Sequence, residues 1–161
     1  MPVLAILLKL AHIGAAMAMV AGLLGSRLLN RQAAVAGDID VVWRLSRAAA
    51  PFDRMAEVAG PVLILTGFAT AWIDGIPWLG LTTGWIVASV ALVALLIVLI
   101  AQVFRPAGAR VESAILAARS AGTVTPELRE AYAETGVRRF ATLYGDLVAP
   151  AIITLMVLKP A

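Results

Sequence analysis

A helix needs about 20 consecutive apolar residues to cross hydrocarbon. This chain carries four such runs, Val3 to Gly25, Pro51 to Ile73, Gly84 to Phe104 and Phe140 to Leu158. They cannot all be hidden in a soluble core. Of 161 residues 61% are apolar and 14% charged, and the mean hydropathy is +0.94, which leaves too little polar surface to coat a globule. The expected fold is all-α: a polytopic membrane protein, a four-transmembrane-helix bundle forming one membrane domain over residues 1–161, with the lipid bilayer as part of its solvent.

The charges are distributed unevenly between the runs. Arg27, Arg31, Arg44, Arg47 and Arg54 fall in or beside the first gap, and Arg105, Arg110, Arg119, Arg129, Arg138 and Arg139 in or beside the third. The second gap, Asp74 to Thr83, has no basic residue. The positive-inside rule then makes loops 1 and 3 cytoplasmic, with N-out and C-out termini. Trp72, Trp78 and Trp85 flank the second gap, where a belt at the outer headgroups is expected. The pI near 10 is explained by orientation and by contact with anionic headgroups, so no nucleic acid is expected as partner. Met1 to Leu8 has no basic residue before the apolar stretch, so the first run reads as a retained span rather than a signal peptide. Without cysteine, disulfides, thiolate metal sites and thiol catalysis are excluded.

Small residues recur at helical spacing in the first span, Ala11, Ala15, Ala18 and Gly22 on one stripe and Gly14, Ala18, Ala21 and Gly25 beside it. Ala56, Gly60, Gly67 and Ala71 form a similar stripe in the second, so these two spans are expected to pack as a tight hairpin. The third span, with Ser89 and Gln102 its clearly polar side chains, is expected to face lipid most. Asp38 to Ala50 and Ala109 to Ala121 have the content of short interfacial cytoplasmic helices. Gly122 is a natural stop, and Thr125 with Pro126 a natural restart. There is also an internal echo. Glu57-Val58-Ala59-Gly60-Pro61 in the second span matches Asp146-Leu147-Val148-Ala149-Pro150 in the fourth, as two parallel-repeat hairpins would.

Ionisable groups inside a span need a partner, a cavity or a use. His12, Glu57 and Asp146 are the candidates to hold a ligand or proton, with Lys9, Arg54 and Thr66 secondary. A neutral His12 ring can ligate haem iron or another metal, or pass a proton; equally, it can bond a backbone carbonyl or a carboxylate on a neighbouring helix. It is placed near mid-membrane, and as the single histidine it cannot complete a bis-histidine haem within one chain. Lys9 is close enough to its helix end to snorkel. Pro61 and Pro150 cannot donate to the carbonyls of Glu57 and Asp146, so each acid sits beside a freed backbone oxygen and an expected bend. For Glu57 the helix start and nearby Arg54 explain an acid just as well. Thr66, Gly67 and Thr70 form a small polar face that fits helix packing. Met17, Met19 and Met156 are too scattered for a copper array, and no phosphate loop, nucleophile elbow or HExxH pattern occurs.

Leu8-Lys9-Leu10-Ala11-His12-Ile13-Gly14, then Ala21-Gly22-Leu23-Leu24 and Arg27, with Leu65-Thr66-Gly67 in the second span, resemble the bacterial predicted integral membrane proteins of domain of unknown function 2269. More distantly they resemble HemJ-type and CopD-type membrane proteins. The HemJ-type likeness implies haem at His12, but the lysine that family carries in its third span has no counterpart in Gly84-Trp85-Ile86-Val87-Ala88-Ser89. The CopD-type likeness implies copper, for which the chain offers one histidine and scattered methionines. The resulting expectation is a bacterial inner-membrane protein that is not an enzyme. It would bind or pass a small cation, proton or cofactor through a polar interior of His12, Glu57 and Asp146. The alternatives are a haem-binding redox protein with His12 as axial ligand, and a structural or accessory subunit that meets a membrane partner or forms a homo-oligomer.

Overall fold

The computed structural model describes residues 2–77, 82–133 and 135–158, and Trp78 lies outside the described residues. Every regular element in them is helical: α1 Pro2–Val35, α2 Ile39–Ile73, α3 Gly84–Leu99, a π-helical turn Ile100–Phe104, α4 Arg105–Ala121, α5 Pro126–Tyr132 and α6 Gly136–Leu158. Four helices are long and apolar enough to cross a membrane, with α3, the π turn and α4 running on as one of them.

The ends of these helices follow local chemistry. Asp38 caps α2 by accepting the Asp40 N–H at 2.7 Å, and Thr125 caps α5 by accepting that of Leu128. Gly122 stops α4 in a left-handed conformation (φ 70°), as its sequence position anticipates. Thr135 accepts the Arg138 N–H at 3.2 Å where α6 begins. The π turn has a cause too. Pro106 cannot donate to the turn before it, and a widened turn absorbs that loss without ending the helix.

The Asp38 to Ala50 segment is helical but is not a separate interfacial helix. It continues through Pro51 into the second span as the 35-residue α2. Proline removes one backbone bond there, yet the helix is held on both sides of it by buried contacts, Val42 and Ala49 before and Ala56 after. The Ala109 to Ala121 segment is likewise continuous with the third span.

α1, α2 and the α3–α4 helix have 34, 35 and 38 residues counted to their ends or through the π turn, well beyond what hydrocarbon requires. Their overhangs all fall at one end, where with α5 they build a core of their own from Ala33, Ile39, Val42, Val111, Ile115, Ala118 and Leu128. Trp43 lies at its side with the guanidinium groups of Arg119 and Arg47 over its ring, 4.6 and 5.6 Å from the centroid. The bundle core is distinct from this: Ala15 and Met19 of α1, Ala59 and Leu63 of α2, Val93 and Leu96 of α3, Val148 and Ile152 of α6.

α1 and α2 pack as the expected hairpin, but along one stripe only. A Cβ on Gly22 would stand 2.7 Å from the Phe52 carbonyl oxygen, and one on Gly25 would enter the Phe52 ring. Gly14 faces open space and Ala21 is exposed, so the second stripe contributes only Gly25 and the Ala18 that it shares with the first. Gly60 turns to α3 instead, against Ile97. The third span is not set apart by its exposure: 17% of its most apolar stretch is buried, the same share as in α6 and more than the 11% of α1. α3 has α2 and α6 as neighbours on different sides, whereas α1 spends its packing almost wholly on α2.

Gly22→Leu should force the hairpin apart and lower thermal stability in detergent by about 1–3 kcal/mol or more. Gly14→Leu, at the same helix and in the same chemistry, should leave the melting curve where it is. Equal shifts from the two would contradict the close approach at Gly22.

Candidate functional site

His12 sits where α1 crosses Gly67 of α2. A Cβ at position 67 would stand 3.0 Å from His12 Cε1, so glycine leaves the room that the imidazole fills. His12 Nδ1 is 3.0 Å from the Leu63 carbonyl oxygen and 3.2 Å from Thr66 Oγ1. A carbonyl only accepts, so Nδ1 carries the proton and donates it there. Thr66 gives its own hydroxyl proton to the Val62 carbonyl at 2.7 Å, which leaves its oxygen free to share the His12 N–H. A neutral ring held this way presents its lone pair on Nε2, and no protein group among the described residues bonds that atom. The ring is partly exposed.

One turn outward, Lys9 pairs with Asp74 at 2.9 Å, both about half exposed. The pair ties the start of α1 to the end of α2, and it puts His12 close to that edge of the bundle rather than at mid-membrane.

The other two acids lie toward the opposite edge. Glu57 accepts a hydrogen bond from Arg105 Nε at 2.7 Å, not from Arg54, which makes no ion pair among the described residues. Asp146 is paired with Arg27, whose Nη1 reaches both carboxylate oxygens. Nearby, the Ser26 hydroxyl donates to Asp53 and receives the Asn30 amide at 3.1 Å, a further polar link between α1 and α2.

Arg27 closely follows the first span and Arg105 the third, while Glu57 and Asp146 stand four residues before a proline in the second and fourth. The pairs are crossed. Each hairpin lends its arginine to the acid of the other, the exchange that two hairpins related by an axis along the bundle would make.

The levels of these charges measure the apolar layer. Lys9 and Arg27 are eighteen residues apart on α1, about 27 Å at 1.5 Å per residue, and Glu57 and Asp74 span about 26 Å on α2. Both are close to a hydrocarbon thickness of about 30 Å. Charge therefore sits at the two faces and pairs there. His12 is held within the layer, and Thr66 lies beside it; Glu57 and Asp146 are not brought to it, and the bundle core between is apolar. Among the described residues, no three of His, Asp and Glu are placed to hold a metal ion.

Sequence reasoning missed the partners of these residues. Arg27 and Arg105 had a signal in their matching positions just after alternate spans. The Leu63 carbonyl had none, since any backbone oxygen one helix away is an equal candidate until the helices are docked.

A family model described as predicted integral membrane protein (DUF2269) matches residues 6–160. No curated protein and no solved structure matches the chain, so the HemJ-type and CopD-type likenesses gain no support from known proteins.

Reversing one charge, as in Asp146→Arg or Arg27→Asp, places like charges together near the membrane edge. The side chains are 28% and 36% exposed, so the loss should be about 1–3 kcal/mol, below that of a fully buried pair. The double reversal should recover most of the melting temperature. A double variant no better than the sum of its parents would show that the two residues do not meet.

Proposed function

Since the chain belongs to the family of predicted integral membrane proteins DUF2269, we propose that it is an inner-membrane protein, not an enzyme, that holds a small cation, proton or cofactor at His12. The bridge from Nδ1–H to the Leu63 carbonyl carries this reading. It fixes the tautomer and the ring plane, as the outer partners of ligating histidines do. Glu57 and Asp146 act in this proposal as counter-charges to Arg105 and Arg27 at the inner face, not as stations on a path. Loops 1 and 3 face the cytoplasm, which puts His12 near the outer surface, where a ligand or proton arrives without crossing the bundle.

Haem is the second reading, with a specific observation behind it: an imidazole donating Nδ1–H to a carbonyl and presenting Nε2 is the form that ligates iron. His12 would supply one axial position. With no other histidine in the chain, a second histidine would have to come from another molecule. A structural or accessory subunit is favoured by a different fact, that Glu57, Asp146 and Lys9 each have their own partner at a face.

Protein expressed with sufficient haem and purified in mild detergent should carry either a Soret band or a bound metal ion in the wild type that His12→Ala lacks. Alternatively, a proton site should appear as a His12 ring that titrates reversibly by ¹⁵N NMR. A colourless, metal-free protein whose ring does not titrate would leave only the structural role. For orientation, the cysteine-free chain permits a clean test: a cysteine at position 38 should resist membrane-impermeant thiol reagents in intact spheroplasts and react after lysis.

A further inference from the structure

The two crossed ion pairs occupy equivalent places, but the helices that carry them do not pack equally. Where α2 meets α3, Gly60 admits Ile97, whose Cγ1 would stand 3.2 Å from a Cβ at that position. In the echo, Gly60 corresponds to Ala149 of α6 and, counting back eight residues from each arginine, Ile97 corresponds to Met19 of α1. Ala149 brings the methyl that Gly60 lacks. There α1 and α6 stand apart, and a cleft of about 310 Å³ opens between them, walled by Met19, Leu23, Ala149, Pro150 and Ile153, with Asp146 toward its inner end.

The walls are apolar and the inner end is charged. Asp146 engages Arg27 through Nη1 alone, and among the described residues neither Nε nor Nη2 of that guanidinium has a hydrogen-bond partner. Nε is buried, whereas Nη2 remains accessible. A smaller cleft of about 170 Å³ between α3 and α6, beside Phe140 and Leu147, has no charged group in its lining and offers nothing to a headgroup.

We propose that the α1–α6 cleft is a binding site for one phospholipid of the inner leaflet, its acyl chain lying between Met19 and Ile153 and its phosphate bonded to the free Nη2 edge of Arg27. The geometry selects this occupant over a free anion because the walls lie within the apolar layer and face the bilayer, where a chain displaces no water and fills the gap that Ala149 holds open. It selects a phosphate head because the N–H groups of Nη2 remain free to make a charge-assisted bond to a phosphate oxygen while Asp146 holds Nη1.

Native mass spectrometry of protein released from nanodiscs gives a direct test, with phosphatidylethanolamine, phosphatidylglycerol or an uncharged diacylglycerol offered at equal amounts. Wild-type protein should keep one phospholipid per chain with either phosphate-bearing head and lose the diacylglycerol at least ten times more readily. Ala149→Leu, which fills the cleft without touching a charge, and Arg27→Gln should each abolish retention. Arg105→Gln, which breaks the equivalent pair on the closed side, should preserve it. A phospholipid carrying a photoreactive acyl chain should label α1 and α6 residues at the cleft in preference to Leu65 on the outer face of α2. This second measurement decides the matter if Arg27→Gln does not fold. Retention unaffected by Ala149→Leu, equal loss in Arg105→Gln, retention of diacylglycerol equal to that of the phospholipids, or a dimer whose contact shields the cleft from the probe would each overturn the proposal.

Discussion

A charge in hydrocarbon costs several kilocalories per mole unless it reaches a face or a partner, and that constraint organises this molecule. Lys9, Glu57, Asp74, Asp146, Arg27 and Arg105 all stand at one of two levels, and each is bonded to a charge on another helix. The layer between is filled by small and branched apolar side chains with one imidazole let in. Because pairs at the faces are partly hydrated, each is individually weak. Their importance lies in register: sliding α1 by one turn along α2 would part Lys9 from Asp74, remove His12 from Gly67 and drive Gly22 off Phe52 together.

The crossed arginines impose a second restriction. Had each hairpin satisfied its own acid, the two could dock in many ways, since lipid-facing helices have little hydrophobic incentive to choose one contact over another. By sharing charges, the hairpins leave neither complete alone. The equivalence is not complete: Gly60 admits Ile97 and that contact between hairpins is closed, whereas at the corresponding Ala149 a cleft remains. The overhanging helix ends add a third fastening. Their apolar core outside the bundle joins α1, α2, α4 and α5 by ordinary water-driven burial, which the bilayer portion lacks.

How much of this the sequence discloses depends on the range of the interaction. Span number, the stop at Gly122, the start at Thr125 and the contact of the first two spans all follow from patterns within a few residues or within one helix face. Pro51 misleads because the cost of proline is local while the contacts of Val42, Ala49 and Ala56 that outweigh it come from elsewhere in the fold. Glu57 misleads in the same way. Arg54 is three residues before it on the same helix, but the arginine that binds it is 48 residues on, and only docking of α2 beside the π turn brings Arg105 within reach. Gly14 looks like Gly22 in sequence and differs only in which side of α1 it occupies.

His12 illustrates how one helix contact limits chemistry. With Nδ1 free, the ring could choose either tautomer and rotate, and Nε2 would be a base only part of the time. Docked on α2, the Leu63 carbonyl removes that choice, and Gly67 sets how deep the ring sits. Protonation of Nε2 would create an imidazolium with its other N–H still bonded, so the cation would be half-satisfied before any ligand arrives. Metal binding would instead require the neutral ring, in the tautomer that the helix pair already fixes. The same two residues of α2 thus permit either outcome, and the acidity of what arrives at Nε2 decides between them.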